Sequence, residues 1–269
     1  MTGPIRIEDP ADPRLNPYRS IRERDLVGRH GRFIAEGTVV LRAMLDAGRF
    51  RPESLLVLES RHAGIADLVA RLPEGTPVMI ASQPVLDAVA GFHIHRGVLA
   101  VGLRGTEPGV DELLAGLAER ATVVVAVGIA NHDNVGAIFR NAAAFAADAV
   151  LLDESCCDPL YRKAIRVSVG AALAVPFARG GSAADLVARL ASHGFEVLTL
   201  SPSGGEDMAR VARGARTALV LGTEGEGLPA SLLAATRSVR IAMSDRFDSL
   251  NVAAASAIAL HRLWQDPSG

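Results

Sequence analysis

Cysteine and lysine are almost missing from this chain. Its 269 residues hold two cysteines, the adjacent pair Cys156-Cys157. They are too few and too close together for a disulfide framework or a four-ligand zinc site, and both read as ordinary buried thiols. Of 28 basic side chains only Lys163 is a lysine. Nearly every cation is therefore a planar guanidinium able to grip phosphate through two parallel hydrogen bonds; a coding bias toward arginine gives the same count. No run approaches the roughly 18 uninterrupted apolar residues that a membrane-spanning helix needs, and the opening MTGPIRIEDPADPR has no apolar signal core. The expectation is a cytoplasmic protein without a membrane partner. His93 and His95, two apart, would share a face of a strand, but with no further ligands in the pattern they read as packing or turn chemistry, and no metal is expected.

What is present is a large apolar fraction, 49%, enough for a sizeable core in two domains or one large one. The net charge of −2 argues against a protein that coats nucleic acid generally. It is unevenly split: residues 1–105 carry 14 basic and 12 acidic side chains, residues 106–269 carry 14 and 18. Arg19, Arg22, Arg24, Arg29 and Arg32 recur at spacings that put some of them on one helical face, which suits either RNA phosphates or a solvated surface.

Strand and helix signals alternate from the start. A strand over 33–37, a helix over 38–47, a strand over 55–58, a helix over 65–72, a strand over 78–80, a helix over 84–89 and a strand over 98–101 make a small α/β domain of residues 1–105. Arg104-Gly105-Thr106-Glu107-Pro108-Gly109 has no apolar residue and reads as a linker, followed by a short helix to about residue 120. The second domain, 121–269, opens with a nearly continuous β-branched run over 122–127, as a parallel strand covered on both faces requires. The turn formers Asn131 to Gly136 follow, then a helix over 135–147, a strand over 149–152, a helix over 161–173, a helix over 185–192 and a strand over 196–200. Strands over 219–221 and 239–243 and a last helix complete five or six parallel strands. The last two strands each run into an open loop, one with Gly222, Gly225 and Gly227, the other ending Ser249-Leu250-Asn251. In an open α/β sheet ligands collect at such carboxyl ends.

Single residues are ambiguous. Arg140 rises from a mostly apolar helix near its start and needs an anionic partner, either an acid of the same domain or a ligand. The loop Gly222 to Gly227 is not the dinucleotide fingerprint, and its Glu224 and Glu226 would repel a pyrophosphate; it suits a ligand with hydroxyls and amines, or a cation. Ser249 or Asn251 could simply cap the last helix.

Together these segments are specific. Asn134-Val135-Gly136-x-x-x-Arg140, then Leu221-Gly222-x-Glu224-Gly225-x-Gly227-Leu228, then Ile241-x-Met243 with Ser249-Leu250-Asn251-Val252 resemble the three motifs of the SpoU (TrmH) family of RNA ribose 2′-O-methyltransferases. Asp158-Pro159 with Arg166-x-Ser168-x-Gly170 is similar to that family's middle segment. Residues 14–101, with Asn16-Pro17 and Phe33-x-x-Glu36-Gly37, more loosely resemble its N-terminal RNA substrate-binding domain. The resemblance implies a SPOUT-type parallel-sheet domain with a trefoil knot, a homodimer, and a structured rRNA or tRNA as partner. It implies S-adenosyl-L-methionine as cofactor, held by Gly222, Ile241, Met243 and Leu250. Arg140 would act at the ribose 2′-hydroxyl, as base or through charge, with Asn134, Glu224, Ser249 and Asn251 orienting it and the ribose.

Three positions depart from the pattern: His132-Asp133 stands for Pro-Gly, Ala242 for proline and Asp245 for glycine. Asp245 would put a carboxylate and a Cβ in the loop that wraps the cofactor. An RNA-binding or assembly protein that keeps the fold without catalysis, and a nucleotide-binding α/β enzyme unrelated to RNA, are the alternatives.

Overall fold

The computed structural model describes residues 3–19, 23–223, 227–244, 246 and 248–264. Arg22, Glu224, Gly225, Glu226 and Asp245 lie outside them. The chain divides into two compact units, Met1–Thr106 with Leu160–Ala174, and Glu107–Pro159 with Val175–Gly269.

The first unit is built on a five-stranded sheet of β1 (Ile5–Ile7), β2 (Arg32–Glu36), β3 (Arg51–Leu58), β4 (Val78–Ala81) and β5 (Val98–Leu103), in the order β1-β4-β3-β5-β2. β1, β4 and β3 run parallel, while β5 is antiparallel to β3 and β2. Helix Thr38–Ala47 buries Val40, Leu41 and Met44, one face at helical spacing, and stops at Gly48 in the left-handed conformation. The arginine run does not form one helical face. Arg19 follows a 3-10 turn, Arg24 and Arg29 belong to helix Glu23–Gly28 and its end, and Arg32 opens β2 and pairs with Glu53.

The helix anticipated over 161–173 is two helices, Arg162–Val167 and Ala171–Ala174. The break falls at Val169 and Gly170, whose φ angles are 55° and 88°. A Cβ on Gly170 would sit 2.8 Å from the Ala43 side chain, so the missing side chain lets the segment lie against helix Thr38–Ala47. Leu160–Ala174 accordingly belongs to the first unit, where the sequence reading runs the second domain unbroken from residue 121.

The second unit carries a seven-stranded sheet of β6 (Ala121–Ala126), β7 (Ala149–Leu152), β8 (Phe177–Arg179), β9 (Glu196–Leu200), β10 (Glu206–Asp207), β11 (Arg216–Leu221) and β12 (Arg237–Arg240), in the order β10-β12-β9-β11-β6-β7-β8. Every pairing is parallel. All six residues of β6 are buried, and Val123, Val125, Leu151 and Val220 pack with Leu186, Leu190 and Phe195 in the core. The short β8 and β10 raise the count above the five or six anticipated. β12 ends at Arg240, so Ile241 to Met243 belong to the following loop. Because the strands are parallel, the loops after β6, β9, β11 and β12 leave the same edge of the sheet.

Candidate active site

A pocket with about 770 Å³ of empty space, part of it open to solvent, lies at the carboxyl ends of β9, β11 and β12. Gly222, Ile241, Met243, Ser249 and Leu250, all singled out in the sequence, line it. So do Leu200 and Ser201 at the end of β9, which the sequence reading missed. β9 pairs with both β11 and β12, and this spatial order has no local signal beyond the turn formers Ser201-Pro202-Ser203-Gly204 after the strand.

The lining among the described residues has no charged side chain; it is mainly aliphatic, with hydroxyls from Ser201, Thr223 and Ser249. Gly222 is required for space. A Cβ there would lie 2.8 Å from Leu228 Cγ and 3.0 Å from the Gly227 carbonyl carbon, where the chain folds back and Thr223 bridges to Gly227. Such a wall of backbone and aliphatic surface suits a nucleoside, which needs shape and a few hydrogen bonds.

Two helices converge beside the pocket. Asn131 caps helix His132–Ala144, its side chain accepting from the Asp133 and Asn134 N–H groups at 2.8 and 3.4 Å. The turn-former cluster is therefore a cap and a first turn, and the helix starts three residues earlier than anticipated. Asn251 caps the last helix, Val252–Trp264, its Oδ1 accepting from Ala253 and Ala254 N–H at 2.9 and 3.4 Å. Its Nδ2 simultaneously donates to Asn134 Oδ1 at 3.1 Å. The capping reading and the site reading of Asn251 thus describe two ends of one amide. Asn141, unremarked in the sequence, makes a second tie, donating to Ala253 O at 2.7 Å and to Ser256 Oγ at 2.8 Å. Its signal was its seven-residue spacing from Asn134, which puts both amides on one face of an otherwise apolar helix.

Arg140 is the ninth of the thirteen residues of its helix, not near the start, and it is exposed. It forms no ion pair with a described acid of its domain and does not line the pocket. Asp158, of the Asp-Pro segment, is buried and receives Arg179 Nη1 at 2.7 Å, while Arg179 Nη2 donates to Cys156 O at 3.1 Å. Cys156 is buried and its thiol donates to Ala126 O at 3.3 Å; burial first, then the nearby Asp153, pushes its pKa up. Cys157 is only partly buried, correcting the expectation of two buried thiols. His93 and His95 meet edge to face with ring centroids 4.6 Å apart, and His93 Nδ1 lies 2.8 Å from Asp87.

Residues 121–261 match the profile of the SpoU rRNA methylase family, a span that takes in the pocket strands and both asparagine-linked helices. The chain belongs to this family. Among relatives of this SpoU protein is an uncharacterized tRNA/rRNA methyltransferase of Mycobacterium tuberculosis, 43% identical over 94% of this chain and 89% of its own length. A 23S rRNA (guanosine-2′-O-)-methyltransferase of Bordetella pertussis is 32% identical over 68% of this chain and 76% of its own. The crystal structure of an AdoMet-bound rRNA methyltransferase from Sinorhizobium meliloti superposes with a TM-score of 0.81 at 22% identity, covering 96% of each chain, so the SpoU protein shares that fold. Among its described residues no helix is long and apolar enough to cross a membrane.

Proposed function

We propose that the protein transfers a methyl group from S-adenosyl-L-methionine to a ribose 2′-hydroxyl of a structured rRNA or tRNA. The observation that carries this reading is the pocket lined by Gly222, Ile241, Met243 and Leu250, with no charged side chain among its described lining residues, beside a helix that the Asn134–Asn251 hydrogen bond holds against the pocket's own last helix. The guanosine-2′-O specificity in the name of the Bordetella relative supports the choice of a ribose hydroxyl.

S-adenosyl-L-methionine, when bound, supplies a methyl group on a positively charged sulfur. Gly222, Ile241, Met243 and Leu250 would hold it with that methyl open to the ribose 2′-oxygen, whose proton would leave to water. A guanidinium is a poor base; Arg140 instead holds the adjacent phosphate and stabilises negative charge growing on the 2′-oxygen. Asn134 and Asn251 fix the helix that carries Arg140, and Glu224 and Ser249 orient the ribose. The reading includes a knotted path through the second unit, RNA selection by the first, and a homodimer. The homodimer is supported by apolar side chains left exposed on the last helix, Ile258 at 46% and Trp264 at 55%.

Calorimetric titration of the purified protein with S-adenosyl-L-methionine tests the cofactor assignment. Saturable heat is expected; no heat and no thermal shift at millimolar ligand would remove it. Cofactor and RNA binding without methyl transfer would favour the non-catalytic alternative.

A further inference from the structure

A second cavity lies wholly within the first unit, with about 840 Å³ of empty space. Its apolar wall includes Ile34 and Phe92, its charged lining is Arg19, Arg162, Lys163 and Arg166, and no acid among the described residues lines it. Phe92 is 50% exposed, although the loop that carries it is firmly held. Asp87 accepts the Ile94 N–H at 2.9 Å and Gln83 Nε2 at 2.7 Å, and its other oxygen meets His93 Nδ1 at 2.8 Å. The hydrogen bond from Ile94, then those from His93 and Gln83, hold the Asp87 carboxyl below its ordinary range.

Arg162 lies over the Phe92 ring, its guanidinium carbon 5.0 Å from the centroid. Its Nε and Nη2 both donate to Oε2 of the buried Glu36, at 3.0 and 2.9 Å. Glu36 belongs to the Phe33-x-x-Glu36-Gly37 motif, which the second-unit site leaves unexplained. It already neutralises Arg162 and fixes the guanidinium over the Phe92 ring, so the half-exposed ring is backed and held before any ligand arrives. Lys163 and Arg166, three apart on helix Arg162–Val167, are exposed at the cavity. A half-exposed aromatic ring backed by a fixed guanidinium, with Arg166 exposed at the cavity and no acid among the described lining residues, matches a nucleobase with its flanking phosphate. A phosphorylated peptide would use the cations but not the ring.

We infer that this cavity receives one unpaired nucleotide of the RNA, its base stacked on the Phe92 ring that Arg162 backs and its flanking phosphate held by Arg166. The inference rests on the RNA reading above and names the form in which RNA meets the first unit. The test is fluorescence anisotropy of a labelled ten-nucleotide mixed-sequence RNA with the full chain, without cofactor. Phe92→Ala should weaken binding at least about fivefold, while Phe92→Tyr, which keeps the ring, should stay within about twofold of the parent. Arg166→Gln should reduce the slope of log affinity against log salt by about 0.7. An abasic ribose-phosphate decamer should bind the parent and Phe92→Ala alike. Equal affinity of the parent and Phe92→Ala for the RNA, or an abasic chain bound as tightly as the RNA, would overturn the inference. A parent protein that binds S-adenosyl-L-methionine but no RNA decamer would overturn it too. Loss of cofactor binding with Phe92-dependent RNA binding intact would instead sink only the methyl-transfer reading.

Discussion

Arg140 stands exposed on its helix with no described acid to neutralise it, so in the proposed mechanism its charge is spent on RNA. Arg140→Ala should lower methyl transfer by about 10²- to 10³-fold, the usual cost of one lost group that stabilises developing charge, with cofactor affinity unchanged by calorimetry. A fall in cofactor affinity as large as the fall in rate would contradict the assigned role. Cys156 makes a second residue-level prediction. Its folded-state pKa is raised by burial above the unfolded thiol value of about 8.5. The stability this protonated thiol contributes is present in full below that pH and declines as pH rises beyond it toward the folded value. Denaturant midpoints measured from about pH 8 to 10 should therefore fall more steeply for the parent than for Cys156→Ala. At this scale the pocket lining was legible where a residue directly follows a strand end, as Gly222 and Ile241 do. Asn141 and Ser201 were hidden because their roles depend on partners brought together by the sheet and helix packing.

Among the elements, the chain just after β11 is tightly constrained, since a Cβ on Gly222 meets both a side chain and backbone within 3.0 Å. Gly222→Ala should force that loop to shift at a strain of roughly 1–3 kcal/mol, seen as a loss of cofactor affinity of about tenfold or more with the circular dichroism spectrum retained. Unchanged affinity would mean that the loop does not meet the cofactor. Element types were readable wherever the pattern was long and unmixed, as in β6, whose every residue is buried. Three-residue β1 and β8 and two-residue β10 carry too little pattern to separate from loops. The helix over 161–173 was read as continuous because its apolar spacing is continuous. Its break falls at Gly170, a weak local signal by helix propensity that is enforced by the close fit against Ala43, a long-range contact.

For the whole molecule, the sequence signalled two α/β units and a boundary close to the observed division at Thr106. It did not signal that Leu160–Ala174 returns to the first unit, because chain order says nothing about which neighbour a segment packs on. The exposed Ile258 and Trp264 bear on assembly. Sedimentation velocity should give twice the 28.1 kDa chain mass, and Ile258→Glu should shift the protein toward monomer; a parent protein monomeric at micromolar concentration would contradict the proposed homodimer. The most direct test of the central claim is mass spectrometry of nucleosides after RNA from cells lacking the gene is incubated with the protein and methyl-labelled S-adenosyl-L-methionine. The label should appear in a 2′-O-methylnucleoside, at a rate about 10²- to 10³-fold lower with Arg140→Ala. Label on a base, or no label with protein shown to bind the cofactor, would contradict it.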